Sequence, residues 1–116
     1  MKKSTVIAFA AFAGMAACAA PPSSPEESAA RKAAAMRYSA TQCTAYMGGI
    51  SGIQDVLKAA NRQEDKARQL GASDALIEKA NRDVKSTWDF SVAMVGERDT
   101  CSDAMSSIAT VMIEEG

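Results

Sequence analysis

Apolar residues recur along this chain in steps of three and four, the spacing that places side chains on one face of an α-helix. The first pattern follows a strong helix start, with Ser24 as the predicted N-cap, Pro25 as the first helical residue and Glu27 completing a capping box. From there the spacing predicts one helical stripe, made of Met36, Ala40, Cys43, Met47, Ile50 and then Ile53 or Leu57.

Three glycines, Gly48, Gly49 and Gly52, interrupt this stripe. Each costs a helix interior about 1 kcal/mol relative to alanine. Either the helix bends at this segment, or a neighbouring backbone approaches Gly48 and Gly52, which lie four positions apart on one helical face. The sequence leaves both interpretations open.

Two further helices are predicted after a charge-rich segment, residues 58–69, which is expected to be a solvated helix end. Gly71 is the expected C-terminal cap of the first helix, Ser73 the N-cap of the second, and Gly96 the end of the second. The apolar positions of these two helices are Ile77, Ala80, Val84, Trp88 and Val95, then Cys101, Ala104 or Met105, Ile108, and Val111 or Met112.

Three helices joined by short turns predict an all-α fold, a small antiparallel three-helix bundle whose first helix is either continuous or broken at its glycines. Alanine and methionine fill most apolar positions, which suits close-packed helices better than a sheet. Tyr46 is expected to pack at least partly, and Glu114 and Glu115 to form a frayed acidic tail, because carboxylates oppose the helix dipole there. The predicted core comprises Ile50, Leu57, Ile77, Val84, Trp88 and Ile108.

The N-terminal segment has a different pattern, with Lys2 and Lys3 before an apolar run from Val6 to Ala17. Basic residues, about a dozen apolar residues and small residues before a cleavage point form a secretory signal, and the run is shorter than the ~20 residues of a membrane-spanning helix. We therefore expect residues 1–17 to be a cleaved signal peptide, residues 18–24 a proline-containing linker and residues 25–116 the helical domain.

The string Met15-Ala16-Ala17-Cys18 resembles the lipobox of bacterial lipoproteins, in which a large aliphatic residue and two small ones precede a cysteine. The resemblance implies that Cys18 is acylated, becomes the first residue of the mature chain and holds the protein on its membrane. An Asp after that cysteine would imply retention at the inner membrane. Ala19 and Ala20 stand there instead, so the resemblance implies the outer membrane, with the domain facing the periplasm.

Two alternatives to this lipid anchor remain. Simple secretion would use a cleavage pattern of the Ala-x-Ala type, such as Ala17-Cys18-Ala19 or Ala11-Phe12-Ala13. An uncleaved membrane anchor is the other alternative. The odd cysteine count favours the lipoprotein, since three cysteines leave one unpaired after any single disulfide and acylation of Cys18 would use it.

Cys43 lies on the stripe of the first predicted helix and Cys101 on that of the third, so both are expected to face one interior. In an oxidising periplasm they should be joined. The bond would close a loop of 58 positions and act as a structural staple that contributes about 4 kcal/mol through loop-closure entropy. A redox-active pair is the alternative, although that chemistry usually needs adjacent cysteines in an electropositive setting.

The composition argues against catalysis and nucleic-acid binding. The chain has no histidine, which removes the commonest general base and the commonest zinc ligand, and no spacing among its acids singles out a catalytic pair. Without Lys2 and Lys3, eleven basic residues stand against fourteen acidic ones, which provides no basic face for nucleic acid. We expect no enzyme activity, cofactor or metal site, and the sequence does not predict the oligomeric state.

The segment from Cys43 to Ile50 is similar to the C-x-x-Y-x-x-G-[VI] stretch of small periplasmic immunity proteins of type VI secretion. Those proteins are helical, contain disulfides and neutralise peptidoglycan-cutting amidases by binding them. The match covers eight residues and lacks that family's second nearby cysteine and its Cys-x-Pro. Two hypotheses follow: a lipid-anchored binding or structural module with an envelope protein as its partner, or an immunity protein that inhibits a cell-wall hydrolase.

Overall fold

The computed structural model describes residues 24–115, which form four α-helices and one short 3-10 helix. These helices are α1 (Pro25–Gln42), α2 (Ile50–Gln69), α3 (Asp74–Val95) and α4 (Glu97–Glu115), and the 3-10 helix Thr44–Tyr46 lies between α1 and α2. No strand occurs within residues 24–115, so the all-α prediction is confirmed. The predicted count of three helices is not confirmed, because residues 24–115 form four.

The predicted signal peptide, residues 1–17, lies outside the described residues, as do Cys18 and the rest of the predicted linker up to residue 23. Between residues 24 and 115, none of the helices combines the length and the apolar character that crossing a bilayer requires.

Both predicted N-caps are present. The Ser24 hydroxyl oxygen accepts a hydrogen bond of 3.2 Å from the Glu27 backbone N–H, with Pro25 in the first helical position. The Ser73 hydroxyl oxygen accepts an equivalent 3.2 Å bond from the Leu76 N–H. Each bond satisfies an N–H group that has no partner inside its own helix, which is why these residues mark the starts of α1 and α3.

The predicted C-terminal signals also act locally. After α2 the chain enters Gly71, which has a φ of +107°, and its N–H donates to the Arg68 carbonyl oxygen while the Ala72 N–H donates to that of Ala67. This pair of bonds is the Schellman motif, which ends a helix by satisfying its last carbonyl groups. Gly96 separates α3 from α4, as predicted.

The segment between α1 and α2 departs from the predicted stripe. Gly48 and Gly49 have φ values of +70° and +95°, a region that favours glycine because a Cβ clashes with the backbone there. Gly52 is required for a different reason: a Cβ atom at this position would lie 1.8 Å from the Met47 carbonyl oxygen and clash with it. The chain therefore leaves the helix at Cys43 and begins a new one at Ile50, and the close approach is to Gly52, from the turn that precedes it.

This break corrects the predicted core. Ile50 is 75 % exposed and Leu57 is 38 % exposed, because α2 starts with its own phase and turns a different face toward α1. Val84 is only partly buried, and Tyr46 and Val95 are exposed. The predicted core residues Ile77, Trp88 and Ile108 are buried.

The core is built largely from small side chains. Ala59, Ala60 and Ala67 of α2 are fully buried, so the charge-rich segment 58–69, predicted to be solvated, has one buried face. Small residues let helices approach closely, and α1 packs against α2, α3 and α4. The main core cluster contains Met36, Ala40, Cys43, Met47, Val56, Ala59, Ala60, Trp88, Cys101, Ala104, Ile108 and Val111.

The four helices alternate in direction along the bundle. α1 and α3 are parallel, because Lys79 pairs with Glu27 near the start of α1 and the Trp88 ring meets the Tyr38 ring further along, with centroids 5.4 Å apart. α4 runs the opposite way, since its first turns reach the end of α1. We call the end that carries the Cys43–Cys101 bond and the α1–α2 and α3–α4 turns the disulfide end, and the opposite end, where α1 starts at Ser24, the Ser24 end.

Candidate functional site

Cys43 and Cys101, predicted to be joined, are brought together by the ends of two helices. Cys43 is the C-cap of α1 and Cys101 lies in the first turns of α4. Their sulfur atoms are 2.10 Å apart, their Cα atoms are 5.7 Å apart, and neither residue is exposed to solvent. A buried disulfide offers no sulfur to an attacking thiolate, which favours the staple over the redox-active pair.

Eight large apolar side chains are exposed between residues 24 and 115. Five of them lie at the disulfide end, and the other three are Leu57 and Leu70 of the α2 segment and Ile113 near the end of α4. Ile50 is 75 % exposed and Met94 is 67 % exposed. An exposed aromatic residue precedes each of them by four positions, Tyr46 before Ile50 and Phe90 before Met94. Phe90 and Met94 are four positions apart, so they lie on one face of α3, while Tyr46 and Ile50 flank the glycine turn. We call this set the disulfide-end surface; it comprises Tyr46, Ile50, Phe90, Met94 and Val95.

Core packing and a hydrogen bond between α3 and α4 support the disulfide-end surface. Ile53 and Val92 pack against the main core cluster just below it, and the hydroxyls of Ser91 and Thr100 share a hydrogen bond of 2.9 Å between α3 and α4. Phe90 and Met94 share one face of α3, and Tyr46 and Ile50 flank one turn. Exposure of several apolar side chains at one end of a domain is typical of interaction sites, whereas single exposed apolar residues need no explanation. The periodicity missed this surface because it assigned Ile50 to the core.

A network of ion pairs connects α1 to α3 near the Ser24 end. The Glu27 carboxylate accepts hydrogen bonds from Arg31 at 3.4 Å and Lys79 at 3.3 Å, and the Asp83 carboxylate accepts from the same two residues at 3.3 and 2.9 Å. The bond to Asp83, followed by that to Glu27, raises the pKa of Lys79 above its ordinary value. The charges compensate one another, so the arrangement is that of a structural contact.

A second network connects α1 to α2. Arg37 donates to Glu64 and, at 2.6 Å, to the side-chain oxygen of Asn61, and Arg68 donates to Glu64 at 3.4 Å and to Asp74 at 2.7 Å. The hydrogen bond from Arg37 is the main reason that the pKa of Glu64 lies below its ordinary value, and it outweighs the opposing effect of burial. This network fixes the register of the two helices.

A cavity of about 320 Å³ opens between α1, α2 and α4 toward the Ser24 end. Glu115 reaches it from the end of α4, where Arg62 donates two hydrogen bonds to one carboxylate oxygen at 3.1 and 2.9 Å and the Gln63 amide donates to the other. The predicted frayed tail is therefore wrong for Glu115, whose side chain is 17 % exposed. The cavity is lined by Lys32, Arg62, Gln63, Lys66, Val111, Glu114 and Glu115.

The remaining indications of function would be a group of metal ligands, the predicted lipidation site and similarity of the chain to known proteins. Within residues 24–115, no three cysteine or carboxylate side chains come together to hold a metal ion. Cys18, the predicted lipidation site, lies outside the described residues. Comparisons of the chain with protein families, with curated proteins and with solved structures find no match.

Proposed function

We propose that this protein is a lipid-anchored binding module of the bacterial envelope, held on its membrane by acylated Cys18 and facing the periplasm. Its disulfide end would bind another envelope protein. The observation that carries this proposal is the disulfide-end surface, because five of the eight exposed large apolar side chains between residues 24 and 115 lie at the end opposite to Ser24, where the anchor segment would join.

The dimensions of the chain support this arrangement. Six residue steps separate Cys18 from Ser24, so the linker extends at most ~20 Å. Helix α3 has 22 residues and is therefore about 33 Å long at 1.5 Å per residue. The anchor thus holds one end of a bundle that is longer than its tether, and the opposite end is available to a partner.

The chemistry of the disulfide-end surface suits a protein partner. Aromatic and methionine side chains are enriched at the centres of protein interfaces, and methionine adapts its shape to the partner. Directly after Gly96, the exposed residues Glu97, Arg98 and Asp99 carry charges of both signs, as a polar interface rim does. The alternative, an immunity protein that inhibits a cell-wall hydrolase, would use the same surface, since the resembling segment Cys43 to Ile50 supplies Tyr46 and Ile50.

Site-specific photocrosslinking in intact envelopes tests the proposal. A photoreactive amino acid is placed at Ile50 or Met94, and at Thr110 as an exposed control on α4 away from the disulfide end. We expect the first two probes to label the same envelope protein and the Thr110 probe not to label it. An added Ile50→Asp change should abolish the adduct from Met94, while circular dichroism shows that the helices remain.

The identity of the adduct decides between the hypotheses. A cell-wall hydrolase, identified by mass spectrometry, would favour the immunity role, and any other single envelope protein the general binding module. Adducts with lipid alone, adducts with a second copy of this chain alone, or equal labelling from Thr110 would each contradict the proposal.

A further inference from the structure

The cavity between α1, α2 and α4 has an uneven charge balance. Three cationic side chains line it, Lys32, Arg62 and Lys66, and of these only Arg62 forms an ion pair within residues 24–115. Lys32 is partly buried, so part of its side chain packs against the cavity wall. Glu114 and Glu115 also line the cavity, so three cations stand against two carboxylates and the site has a formal charge of +1. Lys32 and Lys66 form no ion pair within residues 24–115, and displacement of Glu115 would raise the charge at the site further, which favours an anionic ligand.

Glu115 shows which anion the cavity accommodates. Its two carboxylate oxygens meet three N–H donors, two from Arg62 and one from Gln63, an arrangement that suits the planar shape of a carboxylate. The position of this carboxylate is unfavourable in another respect, because it stands at the negative end of the α4 dipole. A ligand carboxylate without that penalty would compete effectively for the same donors.

Gln63 provides a second, independent indication. This residue is only 4 % exposed, and its side-chain oxygen Oε1 is buried without a hydrogen-bond partner among the described residues. The bond from its amide N–H to Glu115 fixes the orientation of the group, since a flipped amide would set oxygen against oxygen. The Oε1 atom has almost no accessible surface while Glu115 is bound to Gln63. A ligand N–H group would therefore reach it, and remove the free-energy cost of a buried acceptor without a donor, only after Glu115 is displaced.

We propose that this cavity binds a compact ligand with two carboxylates and an N–H donor, the chemistry of a free acidic amino acid or of an acidic residue at the C-terminus of a short peptide. Lys32 and Lys66 would hold one carboxylate. Arg62 would hold the other after displacing Glu115, and Gln63 would accept the N–H group. A volume of about 320 Å³ is at the lower end of the range of ligand pockets, which suits a ligand of this size.

Isothermal titration calorimetry of the full-length protein in detergent tests the proposal, with L-glutamate and the dipeptide alanyl-glutamate as the two probes. Lys32→Gln and Lys66→Gln should each weaken binding about tenfold, the effect of losing one charge-assisted hydrogen bond. Glu115→Gln should strengthen binding severalfold, because the internal competitor is removed. Lys58→Gln, the same change at an exposed lysine of α2 outside the cavity, is the matched control and should have no effect.

The lysine variants should weaken binding and Glu115→Gln should strengthen it. Damage to the fold would weaken binding in every variant, so these opposite effects distinguish loss of a ligand contact from a folding defect. Binding of the dipeptide alone would support the cavity with a peptide terminus as the source of the ligand, and binding of both probes would support the amino acid. The proposal is overturned if neither the wild-type protein nor Glu115→Gln binds either probe saturably, or if Lys58→Gln weakens binding as much as Lys66→Gln does. This inference does not rest on the disulfide-end surface.

Discussion

Removal of the Cys43–Cys101 bond should cost this domain a large part of its stability. The bond links positions 58 residues apart, and loop-closure entropy for a loop of that length gives about 4 kcal/mol at 25 °C. The free energy of unfolding of a single domain is typically about 5–15 kcal/mol. The variant pair Cys43→Ala and Cys101→Ala, made singly and together, isolates this contribution.

Thermal unfolding followed by circular dichroism converts that free energy into a temperature. An unfolding entropy of about 2.1 cal/mol/K per residue gives roughly 190 cal/mol/K for some ninety residues, so a loss of about 4 kcal/mol lowers Tm by about 20 °C. The helical signal at low temperature should persist, because the caps at Ser24, Ser73 and Gly71 do not depend on the bond. Reduction of the wild-type protein should lower Tm by a similar amount.

The comparison of single and double variants can refute the stabilising role of the Cys43–Cys101 bond. Once either cysteine is replaced the link is gone, so the double variant should be little less stable than either single one. Fully additive losses would indicate two independent packing defects and no bond. A fall in Tm of less than about 5 °C on reduction, about 1 kcal/mol for a domain of this size, would likewise refute the staple.

Two further predictions concern packing and pH. Ile108→Ala should cost about 2–5 kcal/mol in urea unfolding, because Ile108 is 3 % exposed and the change leaves a cavity, whereas Leu57→Ala should cost well under half as much; a reversed order would contradict the described core. Arg37 lowers the pKa of Glu64, so this carboxylate stabilises the fold above its unfolded pKa of about 4.3, and that stabilisation is lost as the pH falls through its lower folded pKa. Glu64→Gln should therefore flatten the acid limb of the stability curve, and the exposed Glu78→Gln should leave it unchanged; equal effects at both positions would contradict the assignment.

The features that the sequence predicts well are those decided by neighbouring residues. Ser24, Ser73 and Gly71 mark helix ends through hydrogen bonds that span three to five positions, so their chemistry is legible without knowledge of the fold. Ile50 shows the limit of periodicity. The spacing of apolar residues continues across Gly48 and Gly49, but the helix does not, and the new helix has a different phase.

Long-range polar contacts are beyond this kind of prediction. The Glu115 side chain accepts hydrogen bonds from Arg62 and Gln63, which lie more than fifty positions away in the sequence. Nothing in the local sequence indicates that a side-chain carboxylate in the last turn of α4 will contact α2. The alanines of α2 were missed for a related reason, because a segment rich in charge hides a face of small residues. The pairing of Cys43 with Cys101 was accessible because the chain contains only three cysteines and the third has a separate predicted use.

The lipid anchor at Cys18 is the claim on which the orientation of the domain depends, and the intact mass of the protein extracted from envelopes tests it most directly. We predict a chain of residues 18–116 that carries a diacylglyceryl group and an acyl group at its N-terminus and lacks two hydrogens because Cys43 and Cys101 are joined. A chain that still begins at Met1, or one with an unmodified Cys18, would contradict the anchor and with it the proposed placement of the disulfide-end surface.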